Sequence, residues 1–151
     1  MIESKTDVRV RTALVQDAPE LARLLSQLDF PADTEAILAR WQDWNAAGNT
    51  ALVLEGRDGR LAGTAVLHVM HVLHRPYPVG RISALVIDQG QRGRGLGRRL
   101  VAAAESALVA AGCGLMEITS NLRLTEAHAF YEHIGFPRTS IRFAKTLPAK
   151  R

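Results

Sequence analysis

The sequence predicts an α/β (α+β) fold, a mixed, mostly antiparallel central sheet flanked by helices. Three observations carry this. Ala51 to Glu55 and Leu61 to Leu73 are apolar, β-branched runs joined by Arg57-Asp58-Gly59-Arg60, and Asp-Gly between such runs signals a hairpin, hence antiparallel neighbours. Arg81 to Asp88, a strand, is followed by a helical pattern over Leu96 to Ala111 and another strand at Leu115 to Thr119. A strand, a crossover helix and a strand imply a parallel pair. Two helical patterns precede the hairpin, so the order reads β-α-α-β-β-β-α-β-α-β.

Each element has a local reason. Val8 to Leu14 alternates apolar and polar residues, as a strand does. Asp17 is a suitable N-cap, Pro19 falls in the first turn, and Leu21, Leu24, Leu25 and Leu28 then mark one helical face. Asp29-Phe30-Pro31 breaks that helix, and Asp33 opens a second that runs to about Ala47 before Gly48. The Pro-rich segment from His74 to Gly80 is a loop. Leu96, Leu100, Ala104 and Leu108 recur at i+4 spacing and should pack that helix on the sheet. Thr125 to Ile134 reads as a short helix closed by Gly135, and Ser140 to Leu147 as a last strand.

Bulk properties narrow the function. With 151 residues the chain fits one domain, 1–151, with a real core. No apolar run approaches the roughly 18 residues of a membrane span, and the N-terminal MIESKTDVRV has no apolar signal core. A single cysteine, Cys113, excludes an internal disulfide framework and cysteine-rich zinc sites, so no metal and a cytoplasmic setting are expected. The net charge of +4 favours an anionic partner. The basic residues concentrate at one junction rather than forming a stripe interleaved with aromatics, which argues against nucleic acid.

That junction is QRGRGLGRRL, Gln91 to Leu100, where Gly93, Gly95 and Gly97 alternate among Arg92, Arg94, Arg98 and Arg99. It lies between the end of a strand and the start of a helix. Free backbone N–H groups and the positive end of the helix dipole converge at such a place. Glycines let the backbone approach a ligand, and arginines can add bidentate phosphate contacts, so the loop reads as an anion cradle suited to phosphates, with a plain Gly-rich turn carrying solvated arginines as the alternative. The absence of Gly-Lys followed by Ser or Thr excludes a P-loop, and the glycine spacing is not the dinucleotide fingerprint.

Arg92-x-x-Gly95-x-Gly97, following an apolar strand and opening a helix, resembles the acyl-CoA signature of the GNAT superfamily of N-acetyltransferases. The segments LMEITSN and AHAFYEHIGF, with Tyr131 and Gly135-Phe136, resemble the second conserved block of that family. The element order matches over nearly the whole chain. The resemblance implies acetyl-CoA as co-substrate, with its diphosphate on the amides of Arg92, Gly93, Arg94, Gly95, Leu96, Gly97 and Arg98. It implies pairing of the pantetheine arm with Leu85, Val86 and Ile87, and an oxyanion-binding N–H where the strand bulges near Ala84, Leu85 or Val86. Tyr131 takes the role of acid toward the departing thiolate, which a phenol of pKa about 10 can fill. The stretch TSNLRLTEAHAFY resembles a subgroup that includes aminoalkylphosphonate acetyltransferases. In that register Asn121 stands where CoA and acceptor meet, and Arg123 holds an anionic acceptor. His74 and Phe30 are assigned to the acceptor side. The implied acceptor is a small primary amine, with a peptide or protein amine as the close variant and an idle acyl-CoA-binding module as the competing class. A homodimer is compatible with the resemblance.

The base is open at this point. Many relatives carry a glutamate at about the position of Ser83, and serine cannot serve unaided. Glu117 on the neighbouring strand, His68 or His71 on the third strand, and an ordered water are the alternatives. The odd spacing of His68 and His71 sends them to opposite faces of a regular strand, so at most one meets the cleft unless a bulge intervenes.

Overall fold

The computed structural model describes residues 7–149, in two compact units, Met1–Ile118 and Thr119–Arg151. The first holds the sheet. Its elements are β1 (Val8–Thr12), α1 (Ala18–Ser26), α2 (Thr34–Ala46), β2 (Thr50–Gly56), β3 (Leu61–Met70), β4 (Val79–Ile87), α3 (Leu96–Ala110) and β5 (Leu115–Ile118). The strands lie in sequence order, antiparallel from β1 to β4, and β4 pairs with β5 in parallel. The hairpin and the crossover thus dictate the pairing the sequence predicts.

Ala51, Leu52, Val53 and Leu54 of β2 are all buried. Alternate residues of a strand face opposite sides, so both faces of the sheet are covered here. Ala51 and Val53 join Leu21 and Leu24 of α1, with Val86, in one cluster, against which Ile37, Trp41 and Trp44 of α2 pack. The two tryptophan rings lie 5.1 Å apart. On the other side α3 contributes Leu100, Ala104 and Leu108, the i+4 stripe.

The helix starts differ in detail from expectation. Asp33 caps α2 by accepting from the Ala36 N–H at 2.7 Å. Asp17 precedes α1, but its carboxylate turns back to the Leu14 N–H and to the Arg11 guanidinium, both Arg11 contacts at 2.8 Å. Asp29 takes the left-handed φ of 59° where DFP ends the first helical segment.

The second unit holds α4 (Thr125–His133), in which the Tyr131 ring stands 5.7 Å from Phe130 and 6.5 Å from Phe136. The last strand expected over Ser140 to Leu147 does not form: residues 136–149 carry no regular structure, and Ile141, Phe143 and Leu147 are exposed. Alternation describes a strand only when an edge pairs with it, and among the described residues none pairs with this segment.

Candidate active site

The glycine–arginine segment connects β4 to α3. Asp88 ends the strand, a short 3-10 turn covers Gln89–Gln91, and the chain reaches Leu96 through Gly93 at φ 78° and Gly95 at φ 76°. A Cβ built at either glycine meets nothing within 4 Å, so conformation rather than crowding demands glycine, and the space above the loop is open. The Arg99 N–H makes a 3.2 Å bond to the Gly95 carbonyl. The amides of Leu96, Gly97 and Arg98 precede it and point out of the helix start. Arg92 donates to the Ile87 carbonyl at 3.1 Å, and Arg94 to the Gln91 side chain. Among the described residues none of Arg92, Arg94, Arg98 and Arg99 pairs with a carboxylate. A helix N-terminus beside four guanidiniums without carboxylate partners among the described residues suits an anion by charge as well as by geometry.

A clamp that sequence reading missed holds this loop. Gln27, just after α1, donates to Asp88 at 3.0 Å and accepts from the Gln89 N–H at 3.0 Å. Arg23 reaches Asp88 at 3.1 Å and Glu20 at 2.7 Å, and Glu20 in turn accepts from the Leu61 N–H. These contacts hold the Asp88 and Glu20 carboxyls below their usual range; for Asp88 the Gln27 hydrogen bond is the main cause, for Glu20 that of Arg23.

Along β4, pairing with β5 stops at Ile82–Ile118. Ala84, Leu85, Val86 and Ile87 continue to pair with β3, leaving their other edge without a strand among the described residues. The register on β3 jumps here: Val66 faces Ala84 and Leu67 faces Ile82, so Ser83 is the extra residue of a bulge. The bulge falls one residue before the expected stretch from Ala84 to Val86. Bulges re-aim a side chain, and Ser83 is exposed.

Ser83 points at a histidine. Its Oγ lies 2.5 Å from His68 Nε2, and His68 Nδ1 lies 2.7 Å from Asn49 Oδ1. Asn49 Nδ2 donates to the Trp44 carbonyl at 3.1 Å, which fixes which end of the amide faces the ring. Burial, with a smaller contribution from Arg81, holds His68 below its usual value, so the imidazole stays neutral to lower pH. His71 lies past the end of β3 and is exposed. Glu117 is engaged by Arg81, whose Nε and Nη2 approach Oε1 at 2.7 and 2.6 Å.

His74 is exposed in the 71–78 loop, and Phe30 is exposed between α1 and α2. In the second unit the Arg123 N–H donates to Asn121 Oδ1 at 3.0 Å, and His128 Nε2 to the Asn121 carbonyl at 2.8 Å. Burial pushes the Tyr131 phenol up. Cys113 is partly buried, and burial raises its thiol. Among the described residues no group of three or more His, Cys, Asp or Glu could hold a metal ion, and no helix is long and apolar enough to cross a membrane.

Comparison with known proteins identifies the family. The chain is 31% identical over 143 residues to the aminoalkylphosphonate N-acetyltransferase of Salmonella typhimurium, covering 91% of this chain and 90% of the relative. It is 35% identical over 125 residues to glucosamine 6-phosphate N-acetyltransferase 1 of Oryza sativa, covering 79% and 74%. The crystal structure of a Trypanosoma brucei acetyltransferase superposes with a TM-score of 0.81 at 25% identity, covering 93% of this chain and 100% of that one. An aminoglycoside N-acetyltransferase in complex with CoA shares the fold, with a TM-score of 0.81 at 20% identity, covering 97% and 99%. The model of the acetyltransferase (GNAT) family matches residues 18–136, across both units and the whole glycine–arginine loop, and this chain belongs to that family.

Proposed function

We propose that the chain transfers the acetyl group of acetyl-CoA to the primary amine of a small molecule that also carries a phosphonate or phosphate. The observation that carries this is the open turn at Gly93 and Gly95, set at the start of α3 and continuous with the edge of β4 that no strand covers among the described residues. The cradle's amides and arginines suit a diphosphate. The backbone of Leu85, Val86 and Ile87 suits an extended amide-bearing arm, which would pair there like an added strand. The phosphorus-bearing acceptor is supported by two relatives, whose names give an aminoalkylphosphonate and a sugar phosphate as acceptors.

The reaction is direct. The neutral amine attacks the thioester carbonyl, the C–N bond forms, and the C–S bond breaks. The oxyanion is held by a main-chain N–H beside the Ser83 bulge, from Ala84 to Val86. Tyr131 gives its proton to the thiolate, and Asn121 contacts the co-substrate. Arg123 takes the acceptor's anionic group, with His74 and Phe30 on the acceptor side. Glu117 serves to hold Arg81. The chain acts as one acetyltransferase domain in the cytoplasm, a setting in keeping with its single cysteine.

The test is thiol release from acetyl-CoA with aminomethylphosphonate, glucosamine 6-phosphate, a polyamine, an aminoglycoside and a short lysine peptide. Preference for the phosphorus-bearing amines supports the reading. Turnover confined to the peptide would replace the acceptor class. Acetyl-CoA binding without any turnover would make the chain an acyl-CoA-binding module.

A further inference from the structure

The reaction needs a base, because an ammonium has no lone pair, and the serine at position 83 cannot supply one alone. The partners of that serine can. We propose that Asn49, His68 and Ser83 form a proton relay in which His68 is the general base and Ser83 carries the proton to it from the acceptor amine. This rests on the acetyl-transfer reading above.

The hydrogen bonds allow one assignment of protons. The Asn49 amide donates from Nδ2 to the Trp44 carbonyl, so it presents Oδ1, an acceptor, to the ring. His68 Nδ1 must then carry the hydrogen, and Nε2 bears the lone pair. The 2.5 Å contact is therefore Ser83 O–H donating to Nε2. The Ser83 oxygen keeps its own lone pairs for the ammonium. As the amine gives a proton to Oγ, Oγ–H passes to Nε2. The amine is left neutral, and the imidazolium is held by Asn49 on one side and Ser83 on the other. The proton then leaves His68 to water.

Position favours the same roles. The bulge makes Ser83 exposed although it lies within a strand, and it sits just past the last β4–β5 pair, where the thioester lies on the reading above. His68 is partly buried behind it. Arg81, its register partner on β4, is the charged group acting on the ring among the described residues, and Arg81 is paired with Glu117 of β5. Burial, and to a smaller degree Arg81, keep the ring neutral and ready to accept. Asn49 is a positioning residue.

The experiment measures kcat/KM against pH with aminomethylphosphonate and with aniline, an amine already neutral at assay pH. Wild type, Ser83→Ala, His68→Gln and Asn49→Asp are compared, with acetyl-CoA affinity measured for each. Nitrogen-15 NMR of the His68 ring in the wild-type chain reports the tautomer without any turnover. His68→Gln should lose about 10²–10⁴-fold with the alkyl amine, far less with aniline, and keep its acetyl-CoA affinity. Asn49→Asp should move the acid limb to higher pH, because a carboxylate at Nδ1 favours the imidazolium. A hydrogen on Nε2 in the NMR spectrum would overturn the relay. So would His68→Gln turnover within about twofold of wild type, with acetyl transfer itself still standing. An acetyl group trapped on Ser83 would overturn it as well, since Ser83 would then be a nucleophile. Inactivity of the wild-type chain with every amine would sink the acetyl-transfer reading, and the base with it.

Discussion

Gly95 shows what a single residue does for the cradle. Its φ of 76° is left-handed, and the place of a Cβ is empty. Alanine there strains only the backbone, so Gly95→Ala should destabilise the fold by about 1–2 kcal/mol in urea unfolding. Gly95→Glu adds a carboxylate at the helix start and should abolish CoA binding in calorimetry; normal affinity would remove the loop from the site. On the proposed reading Tyr131 is the complementary case, because its phenol also acts in the chemistry. Tyr131→Phe should lower kcat by about 10²–10⁴-fold while CoA affinity holds. Burial raises the phenol, so it keeps its proton past its ordinary value of 10.0, and activity should not fall through loss of that proton until the pH passes it. The glycine turn between β4 and α3 was legible because it is a local pattern, and the structure gives Gly93 and Gly95 the positive φ such a turn needs. Asn49, His68 and Ser83 were not legible as a set. They are 19 and 15 residues apart in sequence, and strand register plus a one-residue bulge brings them together. Parity along β3 did not decide between His68 and His71, because β3 ends at Met70 and leaves His71 in the loop beyond it.

Between elements, the fit of β4 on α3 is tight at Gly80. A Cβ there would stand 2.6 Å from Leu108 Cδ1. Gly80→Ala should therefore cost about 1–3 kcal/mol, read from the urea midpoint. Leu108→Ala opens a cavity of its own, but the two changes together should cost less than the sum of the single ones, because the shortened side chain leaves room for the new Cβ. The Gln27 clamp acts between α1 and the loop. Gln27→Ala removes both of its bonds and should weaken CoA binding by loosening Asp88 and Gln89; unchanged affinity would make the clamp purely structural. Element order and pairing were readable because hairpin turns and crossovers constrain topology locally. The segment from Ser140 to Leu147 was misread for the converse reason. Its alternation is real, but a strand also needs a neighbouring edge, which no local pattern can promise. Gln27 gave no signal either: it is one polar residue at a helix end, and its partners are 61 and 62 positions away.

For the chain as a whole, acid should be the damaging direction. The net charge is already +4, so protonating carboxylates adds to self-repulsion. Four carboxyls are also held below their usual range by hydrogen bonds: Asp17 and Glu55 chiefly by Arg11, Glu20 by Arg23, and Asp88 by Gln27. A carboxyl depressed in the folded state contributes stability above its unfolded value and loses it as pH falls through its folded value. The ordinary values are 3.8 for aspartate and 4.5 for glutamate, so the urea midpoint should be flat from neutrality to about pH 5 and fall steadily below. The pairs do not share this equally. Arg9 of the Arg9–Glu55 pair is 74% exposed and should contribute little, since water and salt screen it. The Arg11–Asp17 pair is exposed by only 22% and 13%, makes two 2.8 Å bonds, and also accepts the Leu14 N–H. Asp17→Asn should therefore lower stability at neutral pH and make the acid slope shallower, while Arg9→Gln should leave both within error. The decisive comparison is the slope of urea midpoint against pH between about pH 5 and pH 3 in the three proteins. An Asp17→Asn slope equal to that of wild type would mean that the bidentate pair is fully offset by its desolvation, and that acid acts on this protein through net charge alone.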